Sequence, residues 1–137
     1  METETAKKLL EQAKTTAKTN TCCSYSNFTV GAALLDSDGN IHVGINIENH
    51  GIQSICAERT AFAGALTAGA KCFRAIAVVG KRLDADRFSR TLPCGYCRQF
   101  MSEYAGPDLE VITQDEASNN IYINKLSELL PNAFLDF

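Results

Sequence analysis

Four side chains carry the strongest chemical signal in the chain: Cys56, Glu58, Cys94 and Cys97. Cys94 and Cys97 form a C-x-x-C, and the surrounding pattern puts Cys56 and Cys94 at or just before the starts of two helices. A thiolate at a helix start is stabilised by unpaired N–H groups and by the helix dipole. Three sulfurs leave one position of a tetrahedral ion open, which is the ligand count of a catalytic zinc rather than of a closed structural site. Glu58 follows Cys56 by two residues, the wrong spacing for one face of a continuing helix. At a first turn, however, both side chains reach a site lying off the helix end. Glu58 is there a candidate base for a water whose acidity zinc raises. Three thiolates outweigh the charge of a divalent ion, so a cation should offset them. Arg59, three residues after Cys56, is expected to donate hydrogen bonds to the sulfurs, and Arg98 directly follows Cys97.

Plainer readings stand beside this one. A C-x-x-C alone is as readily a redox pair or half of a structural zinc site. Cys56-Ala-Glu58 and the preceding Pro93 weigh against both, because a non-catalytic zinc module needs no carboxylate two residues from a ligand. Cys22, Cys23 and Cys72 fit no ligand spacing and read as packed or partly exposed thiols. His42 alternates with Ile41 and Val43 and reads as an outward-facing strand residue, while His50 reads as a loop histidine. Phe28 at a strand start, Asn46 and Glu48 in alternation, and Phe134 and Phe137 near the chain end each also fit ordinary packing.

The elements that must position these groups are legible from periodicity. Residues 5–18 carry Ala6, Leu9, Leu10, Ala13 and Ala17 at helical spacing. Residues 28–36 and 41–47 read as two strands joined by the Asp38-Gly39-Asn40 turn. A loop over 48–55 leads into a helix over 56–69 that stops at Gly69. The apolar run 73–80 reads as a buried central strand, and 81–92 as an irregular loop. Residues 95–104 read as a helix, 109–113 and 121–123 as short strands, and 125–130 as a last helix closed by Pro131. Helices interleaved with strands predict an α/β fold with a single mixed sheet covered by helices.

Size and charge bound the partners. A length of 137 residues with no repeat or linker predicts one domain over 1–137, with 45% apolar and 21% charged residues. Thirteen basic against sixteen acidic residues leave −3, which argues against a polynucleotide or an anionic membrane as partner. The acidic N-terminus has no basic segment followed by an apolar run, so neither a signal peptide nor a membrane span is expected. A reducing cytoplasm is the expected compartment, where cysteine patterns more often mean metal or catalysis than disulfides.

Cys56-Ala-Glu-Arg-Thr-Ala61 and Pro93-Cys-Gly-Tyr-Cys-Arg-Gln99 resemble the two zinc motifs of the cytidine deaminase family. Tyr25 to Ala33, Asn46-Ile-Glu-Asn49 and Glu128 to Phe134 resemble further segments of its small homotetrameric members, in one order over roughly residues 5–134. The resemblance implies a three-layer α/β/α sandwich around a mixed five-stranded sheet, with one zinc per chain held by Cys56, Cys94 and Cys97. It implies that Glu58 shuttles protons, Phe28 stacks on the pyrimidine, and Asn46 and Glu48 bond the ribose 3′-hydroxyl. The Ala57 N–H would hold the base carbonyl, and Phe134 would enter a neighbouring subunit's pocket, making shared active sites in a homotetramer. The activity implied is hydrolytic deamination of cytidine or deoxycytidine to the uracil nucleoside and ammonia. The chain departs from the family at His50-Gly-Ile-Gln-Ser-Ile55, which is one residue short and lacks a Tyr. That departure keeps open a related aminopyrimidine nucleoside, such as a cytosine nucleoside antibiotic, as substrate.

Overall fold

A computed structural model describes residues 1–136; Phe137 lies outside the described residues. The elements run α1 (Thr3–Thr19), β1 (Phe28–Asp36), β2 (Ile41–Ile45), α2 (Ala57–Thr67), β3 (Phe73–Arg82), α3 (Gly95–Ala105), β4 (Glu110–Asp115), β5 (Asn120–Lys125) and α4 (Leu126–Leu129). The five strands form one mixed sheet in the order β2-β1-β3-β4-β5. β1 pairs antiparallel with both β2 and β3, β3 pairs parallel with β4, and β4 pairs antiparallel with β5. The parallel step is the one that α3 bridges, as a crossover requires.

Alternation along the strands builds two cores, one on each face. Ala32 and Leu34 of β1, Ile76 and Val78 of β3 and Val111 of β4 pack with Ala57, Ala61 and Phe62 of α2 and Cys97 and Met101 of α3. Their neighbours Ala33, Leu35, Ala75, Ala77, Val79 and Ile112 pack with Leu9, Leu10 and Ala13 of α1. The central strands are therefore apolar on both sides, which is why β3 reads as an unbroken hydrophobic run. The three-layer arrangement expected from the resemblance is present.

Four strands differ in their bounds from the sequence reading: β3 runs on to Arg82 and β4 spans Glu110–Asp115, and the differences at β5 and β2 have a local cause. β5 extends over Asn120–Lys125 because every residue of β4 from Glu110 to Asp115 pairs with it across the ladder. β2 ends at Ile45 instead of Ile47, because the Asn46 side chain takes over the pairing with β1. Val30 N–H donates to Asn46 Oδ1 at 2.9 Å, and Asn46 Nδ2 donates to the Phe28 carbonyl at 2.8 Å. The main chain then turns away, and Ile47 bridges to Cys22 and Ile55.

Two glycines set the distances that matter for the site. A Cβ on Gly44 of β2 would fall 2.5 Å from both Ala57 O and Ala61 N, so only glycine lets the first turns of α2 lie this close to β2. A Cβ on Gly80 of β3 would fall 2.7 Å from the Phe28 ring, so that ring lies against bare backbone. α2 closes as its sequence indicates, with Gly69 in the left-handed region at φ 96°.

Candidate metal centre and active site

Cys56 and Cys94 are the N-cap residues of α2 and α3, both in extended conformation. Neither side chain caps its own helix, so both sulfurs are free to face outward from the helix starts, beside N–H groups that have no intrahelical partner. Cys97, one turn into α3, is three residues from Cys94 and lies on the same helical face. The three Sγ atoms lie within 4.8 Å of one another, and those of Cys56 and Cys94 are 4.0 Å apart. Tetrahedral ligation with sulfurs at about 2.3 Å sets them about 3.8 Å apart, so the trio needs only a small contraction to close on one ion. Three soft sulfur donors and no fourth protein ligand in the group suit zinc.

The charges around the sulfurs match that donor set. The Cys56 thiol is lowered to about 5, first by a hydrogen bond from Cys97, with Arg59 and Cys94 adding to it against the cost of burial. The Cys97 thiol is raised, first by that same bond to Cys56 and then by burial. Arg59 Nη2 lies 3.8 Å from Cys56 Sγ and 3.4 Å from the Ser54 carbonyl. Arg59 Nε is buried with no hydrogen-bond partner among the described residues, and the Tyr96 ring covers the guanidinium at 4.4 Å.

Glu58, in the first turn of α2, is buried, with 4% of its surface exposed. Burial pushes its carboxyl up to about 7, with its own backbone N–H pulling the other way and the Cys56 charge adding to the rise. A carboxyl near neutrality both accepts and returns protons, the requirement for a group that acts twice in one turnover.

The remaining sequence-predicted residues fall into two groups. Ala57 is buried as the first residue of α2, where a backbone N–H has no intrahelical acceptor. Phe28 is half-buried at the start of β1. Asn46 is held by β1, as described above. Glu48 Oε1 accepts from Tyr25 N–H at 3.1 Å and Ser26 N–H at 3.0 Å, and Oε2 accepts from the Ser26 hydroxyl at 2.5 Å. The Ser26 hydroxyl is the main cause holding the Glu48 carboxyl below its usual range. Glu48 thus pins the turn that leads into Phe28. Phe134 is 65% exposed, and its carbonyl accepts from Gln99 Nε2 at 2.9 Å.

Arg98 does not serve the sulfurs. Its Nε donates to the Pro93 carbonyl and its Nη1 to the Leu129 carbonyl, both at 2.7 Å, tying the segment before Cys94 to the end of α4. His42 bonds Asp36 at 2.9 Å in the β1–β2 hairpin, and His50 sets its ring beside Tyr25 at 6.1 Å. Sequence reasoning missed Tyr96 and Ser26. Nothing in their spacing distinguishes them, since each acts on a group remote in sequence.

Residues 3–113 match the family model for the cytidine and deoxycytidylate deaminase zinc-binding region. A cytidine deaminase of Sporosarcina psychrophila is 40% identical over 93% of this chain and 89% of its own length. A blasticidin-S deaminase of Bacillus cereus is 35% identical over 74% of each chain. Among solved structures, a cytidine deaminase of Burkholderia pseudomallei superposes with a TM-score of 0.81 at 39% identity, covering 98% of this chain and 100% of that one.

Proposed function

The chain belongs to the cytidine deaminase family, and from that premise we propose that it hydrolyses cytidine or deoxycytidine to the uracil nucleoside and ammonia. The observation that carries the reading is the convergence of three sulfurs from two helix starts beside a buried carboxyl. Cys56, Cys94 and Cys97 hold the zinc. When bound, the ion supplies Lewis acidity, which makes a neighbouring water acidic enough to act as a nucleophile near neutral pH.

The rest is the work of the chain's own groups. The pyrimidine C4 is a poor electrophile until N3 is protonated. Glu58 takes a proton from the attacking water and delivers it to N3, so that C4 accepts the oxygen and becomes tetrahedral. Glu58 then takes the proton of the new C4 hydroxyl and passes it to the exocyclic amine; the C4–N bond breaks, the C4 carbonyl forms and ammonia leaves. The Ala57 N–H holds the base carbonyl, and Phe28, backed by Gly80, supports the ring. Asn46 and Glu48 meet the sugar 3′-hydroxyl while fixing the backbone that carries Phe28. Arg59 offsets the negative charge of the thiolates.

The site is open in the isolated chain, since Cys94 is exposed and Phe28 only half-buried. Ile52, Ile47, Ile55, Tyr25 and Phe134 are also exposed. These exposed apolar side chains support closure by other copies, and we read the chain as one domain over 1–137 that assembles into a homotetramer with shared sites. Among the described residues no helix is long and apolar enough to cross a membrane, and the composition fits a cytoplasmic enzyme.

A second reading has its own support. The likeness to a blasticidin-S deaminase, together with the short loop from His50 to Ile55, favours a cytosine nucleoside antibiotic as substrate. One assay separates the two. The zinc-loaded protein is given cytidine, deoxycytidine and blasticidin S in turn, and uracil product and ammonia are followed, with a chelator-treated sample beside it. Turnover of cytidine that is lost on chelation supports the first reading. Turnover of the antibiotic alone supports the second, and none with any of the three overturns both.

A further inference from the structure

We propose that Tyr96 is a positioning residue of the metal centre, its ring holding the Arg59 guanidinium in place beside the Cys56 sulfur. The inference rests on the zinc reading above and concerns a side chain which that reading leaves without a role.

The hydrogen bonds of Arg59 that meet normal geometry are long, although the Cys97 sulfur also faces it. Its two contacts through Nη2 are long, 3.4 Å to Ser54 O and 3.8 Å to Cys56 Sγ. Its Nε is buried without a partner among the described residues. A guanidinium owes its usual precision to a planar fork of short hydrogen bonds, and here that fork is mostly unused. The group lies instead over the Tyr96 ring, with Cζ 4.4 Å from the ring centre. That lies inside the roughly 6 Å range of a cation–π contact.

The position of Tyr96 makes the contact useful. Tyr96 lies between Cys94 and Cys97 in the first turn of α3, and Arg59 lies one turn after Cys56 in α2. The stacked pair therefore joins the two helix starts at the place where their sulfurs meet. Packing alone does not account for the ring, because Tyr96 is 69% exposed. The ring is mostly exposed, yet it covers a cation. Stacking leaves the N–H edge of the guanidinium directed at sulfur, and it shields the charge from water, which strengthens its effect on the thiolates.

The test compares metal-loaded wild type, Tyr96→Phe and Tyr96→Leu, with zinc transfer to a chromophoric chelator as the readout and thermal melts to confirm folding. Phe keeps the ring and loses only the hydroxyl; Leu keeps apolar bulk and loses the π-face. Tyr96→Phe is expected to release zinc at the wild-type rate, and Tyr96→Leu roughly 3- to 30-fold faster, the range a cation–π contact spans. The Tyr96→Leu effect should vanish in an Arg59→Gln background, because the ring acts through the guanidinium. Wild-type release from Tyr96→Leu, equal acceleration in Tyr96→Phe, or an undiminished effect without Arg59 each overturns the inference. A wild-type protein that takes up no zinc overturns the functional reading, and this inference with it.

Discussion

At the residue scale, the proposed mechanism turns on Glu58. Its two neighbours on the reaction coordinate, an attacking water and a ring nitrogen, need one group that both takes and gives a proton. A carboxyl held near 7 by burial meets that need. Glu58→Gln preserves shape and hydrogen bonding and removes proton transfer. The variant is expected to retain zinc and to lose at least about 10²- to 10⁴-fold in kcat, read by metal analysis and by product formation on the same sample. Substantial residual turnover sinks the assignment. The sulfurs and this carboxyl were legible in the sequence because their spacing is dictated by two local structures, the starts of α2 and α3. Arg59 was legible for the same reason, lying one turn from Cys56. The contacts that orient these groups were not. Tyr96 reaches across 37 positions to Arg59 (96 − 59). Arg98, adjacent to a thiol and a reasonable candidate to offset it, is drawn away by two carbonyl oxygens, one of them in α4. Such pairings depend on how helices sit on the sheet, and periodicity carries no information on that.

At the element scale, the position of α2 is what aims the chemistry, and Gly44 fixes that position. A methyl group there would press on the backbone of Ala57 and Ala61, which cannot yield as a side-chain tip can. Gly44→Ala is expected to destabilise the fold by about 1–3 kcal/mol through overpacking, measured as a lower midpoint in thermal or denaturant unfolding. An unchanged midpoint means that α2 is free to shift. The sequence shows Gly44 only as a glycine inside a strand pattern, a sign of close backbone approach that names no partner. The β1–β2 hairpin was more fully legible, because Asp38-Gly39-Asn40 is a turn signal in its own right. Gly39 takes φ 91°, and Asp36 accepts the N–H groups of Asp38 and Asn40, as well as His42. The early end of β2 was not legible, since an asparagine whose side chain replaces a ladder pair looks like any alternating polar residue.

At the scale of the whole molecule, the C-terminal segment is where the proposed assembly is tested. It is tied to α3 through the Phe134 carbonyl, yet Phe134 is mostly exposed. Ending the chain at Asn132 is expected to raise KM for cytidine at least about tenfold with a smaller change in kcat, as loss of a pocket wall removes uniform binding. Steady-state kinetics with sedimentation velocity would separate a lost wall from a lost assembly, and an unaltered KM would argue against any role for the tail. The layered architecture was legible because alternating burial is written into each strand; the strand order was not, because neighbours in the sheet are not neighbours in the chain. That order has a consequence during synthesis. β3 is the middle strand, and its far side is completed by β4, which emerges only after the 81–105 stretch has been made. Until then the growing chain displays a long, apolar, unpaired strand margin of the kind that recruits other chains. The interval between translation of β3 and β4 is thus when a ribosome-bound chain is most exposed to self-association, and when chaperone cover matters most.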